Sequence, residues 1–131
     1  MKYTTSKTEK SEFSVKPQTL HKDTDGKTVY CLDIEETEKE NEEGNKYKCF
    51  LAYVIIVPET ATNSNVVKHA IKTLWSIEDE NELQNNFVAG ENKLFPTTVE
   101  NNEAKARYKT FLSEVIALKE QVRNDLKALE E

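Results

Sequence analysis

Glycine and proline are scarce in this chain, three of each in 131 residues. That excludes a collagen-like or loop-dominated polymer and leaves little to interrupt helices and strands. Cysteine is scarcer still: Cys31 and Cys49 are the only two. They are too few for a disulfide framework and lack the C-x-x-C spacing of a redox or metal pair. Residues 1–12 are polar throughout and hold no apolar core of the kind an export signal needs. The longest apolar run, Cys49 to Val57 counting Tyr53, has nine residues, short of the ~20 that cross a bilayer. The expectation is a reducing setting, cytosolic or in a virion, with no membrane contact. A positive surplus is missing too. The net charge of -6 and the pI of about 5.1 leave no overall basic footprint for nucleic acid. Phosphate cradles (G-x-G-x-x-G, G-x-x-x-x-G-K-[ST]) and the G-x-S-x-G nucleophile elbow are absent.

What remains is one domain's length of chain. Residues 1–11 (MKYTTSKTEKS) read as a polar N-terminal arm, and 12–131 as a single folded domain. Charge is uneven. Lys2, Lys7, Lys10 and Lys16 outweigh Glu9 and Glu12, whereas six glutamates face one lysine between Glu35 and Glu43. A contact between the basic head of one copy and the acidic middle of another is one reading; two solvated segments is the plainer one.

Residues 12–16 suggest a short strand before Pro17, and Thr24-Asp25-Gly26-Lys27 a turn. Strands are expected over 27–37, with Tyr30, Leu32 and Ile34 on one side, and over 46–57, joined by an acidic loop. A register in which paired positions sum to 81 places Leu32 opposite Cys49, Asp33 opposite Lys48 and Glu35 opposite Lys46. It also puts Cys31 and Cys49 on opposite faces. Leu51 to Val57 is apolar on both sides, as in a central strand covered by a helix on one face and by another layer or subunit on the other. Asn63-Ser64-Asn65 offers caps for a helix to about Ser76, and a short helix is expected from there through Leu83. Residues 85–96 look irregular, with a brief strand at Phe87–Ala89. Asn101 or Asn102 would cap a final helix over 102–130.

No pattern of catalytic residues stands out. His21 and His69 belong to no metal-spaced cluster. Cys31 and Cys49 behave as small buried hydrophobes. Asp23-Thr24-Asp25-Gly26 opens like a calcium loop but lacks the later ligands, so an Asx-type turn is the better reading. Asp33 and Glu35 read as cross-strand ion pairs rather than an acid–base couple. No catalytic, cofactor-binding or metal-binding residue is assigned.

The final helix carries most of the information. Apolar residues fall at 104, 108, 111, 115, 118, 122 and 129, a four-three spacing broken by Asp125. Tyr108, Val115, Val122 and Leu129 occupy heptad a positions, with Phe111 and Leu118 at d. Leu112, Leu126 and Ile116 widen the stripe beyond a two-stranded seam, toward a helix packed on a globular core. The first half is expected on the chain's own sheet, and the last two turns toward a partner.

The order of strand, proline, helix, Asn-Glu-Leu-Gln-Asn-Asn-Phe-Val and a long Tyr-x-x-Phe-Leu helix, with a Lys/Glu/Asn-rich composition, resembles small uncharacterised proteins of phages infecting gut bacteria. The likeness covers about residues 47–118. It implies a virion-associated structural or adaptor role and carries no catalytic residue.

The reading is therefore an α+β fold: a small antiparallel sheet packed with two main helices, the longer one C-terminal. The expected function is non-enzymatic: a phage virion accessory or adaptor protein that binds protein subunits, itself or others, as an oligomer or part of an assembly. The alternative is a phage-encoded inhibitor that binds a host protein through the acidic loop. Tyr3, Lys7, Lys10, Tyr53, Ile55, Trp75, Val122, Leu126 and Leu129 are the expected protein-binding residues. No cofactor, nucleic acid or membrane is expected as a partner.

Overall fold

The computed structural model describes residues 3–4 and 8–130. The fold is α+β: four antiparallel strands and three helices, the last long and C-terminal. The elements are β1 (Ser11–Phe13), β2 (Leu20–Lys22), β3 (Thr28–Glu40), β4 (Lys46–Val57), α1 (Asn63–Leu74), α2 (Ile77–Glu91) and α3 (Thr98–Leu129). The sheet order is β1-β4-β3-β2. Two short flanking strands thus clasp one long central hairpin.

The hairpin register differs from the expectation. Leu32 pairs with Tyr53 and Glu40 with Lys46, so paired positions sum to 85 and then 86. Turn closure decides this, not the charge matching on which the expected register rests. Asn41 Oδ1 accepts from the Glu43 and Asn45 amides at 3.0 and 2.9 Å. Gly44 takes φ +83°, where a side chain would be strained. The connection is thereby tight, and β3 runs three residues beyond the expected end at Thr37, so that Glu38 and Glu40 belong to a strand rather than to an acidic loop.

The change of sum marks a β-bulge. Between Leu32/Tyr53 and Glu35/Leu51, two residues of β3, Asp33 and Ile34, oppose Ala52 alone. Asp33 takes φ +55° to accommodate it. The bulge reverses the alternation. Tyr30 and Leu32 face the helices, whereas Ile34 turns to the other side, against the expected grouping of all three. Lys10 holds the bulge in place: its Nζ donates to the Asp33 carbonyl at 2.7 Å and to Asp33 Oδ2 at 3.0 Å.

The main core lies between the inner sheet face and the helices. Tyr30, Leu32, Tyr53, Ile55 and Val57 meet Val66, Ala70 and Leu74 of α1 and Phe111, Leu118 and Val122 of α3. Val122 is fully buried and Leu126 packs on this core, so α3 is docked on its own sheet as far as Leu126, whereas Leu129 is exposed. Of the three positions that widened the helical stripe, Leu112 and Ile116 are exposed and Leu126 packs on the core.

α2 runs to Glu91, through the stretch read as irregular. Ser76 caps it by accepting from the Asp79 amide at 3.0 Å. Glu78, Asp79 and Glu80 complement the helix dipole in its first turn. Phe87 packs on Tyr108 of α3 with ring centroids 5.0 Å apart. Gly90 ends no helix; a Cβ there would lie 2.6 Å from the Asn101 carbonyl oxygen. It lets α2 approach α3 closely. Lys93 in the left-handed region closes α2, with its amide donating to Gly90 and that of Leu94 to Ala89. α3 starts earlier than expected because Thr97 is its cap, accepting from the Glu100 amide at 3.1 Å. Asn101 is buried inside the helix and accepts from the Phe95 amide at 3.0 Å. α1 is likewise capped one residue before the expected group, by Thr62.

Candidate protein-binding surfaces

The helices cover one side of the sheet. The second apolar cluster, on the other side, is drawn from strands alone: Val29, Cys31 and Ala52, with Phe13, Ile34 and Val54 packed around them. Strand alternation places Phe50 and Ile56 on this same outer face. Phe13, Ile34, Phe50 and Val54 are half-buried, and Ile56 is 40% exposed. The apolar patch gives way to charge along the hairpin, where Glu36, Glu38, Glu40, Lys46 and Lys48 occupy outer positions. Lys48 approaches Glu36 at 3.6 Å. β1 and β2 pair with only three positions each of β4 and β3. The charged end of the hairpin therefore extends beyond both flanking strands, and such charges discourage edge-to-edge pairing.

A second surface surrounds the start of the chain. Tyr3 is buried, with its ring edge-on to Tyr53 and Trp75 at 6.1 and 6.2 Å. Trp75 Nε1 donates to the Thr4 carbonyl at 2.6 Å. Both oxygens of Glu114 accept from the Thr4 amide, at 3.0 and 3.1 Å. Burial, reinforced by Asp33, Asp125 and Glu114, pushes the Tyr3 phenol up to about 12. Burial and the hydrogen bond to Asp125 push Tyr30 higher still, and burial also raises Tyr53.

Most of the residues expected at interfaces are occupied within the chain. Tyr3, Tyr53, Ile55, Trp75 and Val122 are core. The outward positions of β4 are Val54 and Ile56, not Tyr53 and Ile55. The Tyr3 end of the arm is seated on its own domain. Lys10 is bound to Asp33 and Glu35, which replaces the expected pairs of those carboxylates with Lys48 and Lys46. Leu126 is half-buried, and Leu129, 52% exposed, is the one member of the set whose side chain is open. Lys7 lies outside the described residues. Sequence offers two candidate faces for a strand apolar on both sides, and the helices packed on Tyr53, Ile55 and Val57 leave Val54 and Ile56 on the other one.

The groups singled out for possible chemistry make the following contacts. Asp23 Oδ1 accepts from the Asp25 and Lys27 amides at 2.9 and 2.8 Å, an Asx-type turn. Cys31 and Cys49 are free and buried, and burial raises both thiols, Glu12 adding to the effect at Cys49. His69 Nε2 meets Glu59 Oε1 at 2.6 Å and Lys68 Nζ meets Glu59 Oε2 at 2.9 Å, which lowers the Glu59 carboxyl. His21 Nδ1 faces the Gln18 carbonyl at 3.0 Å. Among the described residues no group of three His, Cys, Asp or Glu is placed to hold a metal ion, and no helix is long and apolar enough to cross a membrane. The chain matches no protein-family model, no curated protein and no solved structure.

Proposed function

We propose that this protein is a non-enzymatic binding and assembly protein that docks other protein subunits through the outer face of its sheet. One observation carries the reading: the patch of Phe13, Ile34, Phe50, Val54 and Ile56 has no helix over it and is bordered by the charges of the hairpin. An apolar centre with a charged rim is the anatomy of a protein interface. A stable interface buries about 800 Å² on each partner. Five partly covered side chains fall short of that, so the footprint extends onto the charged hairpin. The setting is the one implied by the resemblance to small phage proteins: a virion accessory or adaptor protein present in several copies.

Light scattering at micromolar concentration tests this. The expected mass is a multiple of 15.1 kDa. A Val54→Lys/Ile56→Glu variant should return to the single-chain mass with an unchanged circular dichroism spectrum. A wild-type chain that stays monomeric, and that captures no subunit from infected cells, overturns the reading.

A further inference from the structure

The two ends of the central hairpin carry opposite charge. Its tip holds Glu38 and Glu40 at the end of β3 and Glu42 and Glu43 in the turn, and it projects beyond both flanking strands. None of these four makes an ion pair among the described residues. Tyr47, 41% exposed, stands beside them. At the opposite end β4 stops at Val57 and α1 begins at Asn63. There the first turns of α1 and the distal part of α3 border a groove of about 600 Å³. Val67 and Ile116, the latter 66% exposed, form its apolar surface, and Lys68, Lys119 and Arg123 outnumber Glu120. Glu59 engages Lys68. Lys119 and Arg123 make no ion pair among the described residues. In a chain of net charge -6 this groove is a local reversal of sign. Tip and groove cannot meet within one molecule. β4 is 12 residues long, and at about 3.3 Å per residue it holds them about 35 Å apart.

We propose that the groove between α1 and α3 receives the hairpin tip of a second copy of the chain, with Glu42 and Glu43 against Lys119 and Arg123 and Tyr47 against Ile116. The proposal rests on the assembly reading above and adds a contact of a different kind. Charge complementarity selects the occupant, and in an assembly of several copies every groove has a matching tip. Glu42 and Glu43 lie in the turn, past the strand positions that border the outer sheet face, so both contacts can form at once. Tip and groove are different surfaces, so the contact is heterologous and propagates into a ring or a filament. A groove of this size takes a loop rather than a domain face. A single contact is therefore weak, and copies already joined through the sheet face multiply it.

The test uses the full chain carrying Val54→Lys/Ile56→Glu, which removes the sheet-face contact, in sedimentation equilibrium up to millimolar concentration. A mass above 15.1 kDa is expected at moderate salt. It should fall back in strong salt, since the screening length drops from about 10 Å at 0.1 M to about 3 Å at 1 M. Adding Glu42→Lys/Glu43→Lys sets a basic tip against a basic groove. Adding Lys119→Glu/Arg123→Glu instead sets an acidic tip against an acidic groove. Each should weaken association about ten-fold. Mixed in equal amounts, the two swapped chains hold both complementary pairs, and association should recover to the parent's. All four swapped positions are exposed, so the circular dichroism spectrum should not change. A parent that keeps the single-chain mass at millimolar concentration, swaps without effect, or a mixture that does not recover overturns the proposal. If Val54→Lys/Ile56→Glu does not fold, the swaps are placed in the wild-type chain and read against its own mass. Failure of the sheet face shows differently, as a wild-type chain no heavier at micromolar concentration than the Val54→Lys/Ile56→Glu variant.

Discussion

The hydroxyl of Tyr30, near the start of β3, donates to Asp125 Oδ2 at 2.6 Å, joining sheet and last helix across 95 residues. Gln121 Nε2 donates to the other oxygen of the same carboxylate at 2.8 Å. Asp125 interrupts the apolar stripe of α3 because it meets a buried phenol there. Val122 beside it is fully buried.

Asp125→Ala is expected to destabilise the fold by about 1–3 kcal/mol, since it leaves the Tyr30 hydroxyl buried without an acceptor. Tyr30→Phe should cost less, because Asp125 keeps Gln121. Urea denaturation of both variants and of the double variant checks this. The two losses should not add, as the residues share one bond. Additive losses would show that the bond contributes nothing.

Lys10 should matter for stability rather than for partners. Lys10→Met keeps the aliphatic stem near the Tyr53 ring, whose centroid lies 5.4 Å from the Lys10 Nζ. It removes the charge that holds the Asp33 carbonyl and carboxylate. The expected loss is about 1–3 kcal/mol, the range for hydrogen bonds to charged groups. Hydrogen exchange should become faster around the bulge first. A Lys10→Met variant as stable as wild type refutes this role.

Gly90→Ala separates helix propensity from packing. Alanine is favoured in a helix interior by about 1 kcal/mol. Here its methyl would meet the Asn101 carbonyl oxygen at 2.6 Å, a backbone atom that a rotamer change cannot move. Overpacking of this kind costs about 1–3 kcal/mol, so the variant should melt lower than wild type in a thermal scan. A higher melting temperature would mean that α2 and α3 are not in close contact there.

The tyrosines make stability sensitive to alkali. Tyr3, Tyr30 and Tyr53 all have phenols raised in the folded state, chiefly by burial. A raised folded value means stability that is complete below the unfolded value of about 10. It is lost as pH rises from there toward the folded values, which for Tyr3 is about 12. Three of the five tyrosines should therefore ionise late and together with unfolding when absorbance near 295 nm is followed against pH. Tyr3→Phe should reduce the stability lost over that range and also remove a hydroxyl that is buried without a hydrogen-bond partner among the described residues.

Much of the fold was legible in the chain because local patterning suffices for element type. The alternation from Tyr30, the run ended by Pro58 and the four-three spacing after Ala104 produce two strands and a long helix wherever they are placed. The α+β architecture and the docking of α3 through Phe111 and Leu118 follow from these patterns. The Asx-type turn at Asp23 was legible in the same way, as a consequence of spacing, whereas Cys31 and Cys49 are free as expected although the register from which that was argued differs.

Tertiary structure decided what spacing cannot carry. The Asp33 bulge exchanges the faces of β3 halfway along, so that Ile34 turns to the side opposite Tyr30 and Leu32. Lys10, Glu114, Trp75 and Asp125 acquire partners 23 to 110 residues away, and those partners determine that Tyr3 lies in the core and that Asp125 faces inward. A side chain's local pattern tells which face of an element it occupies. Whether that face is covered depends on where the rest of the chain comes to lie, and only the packed molecule settles it.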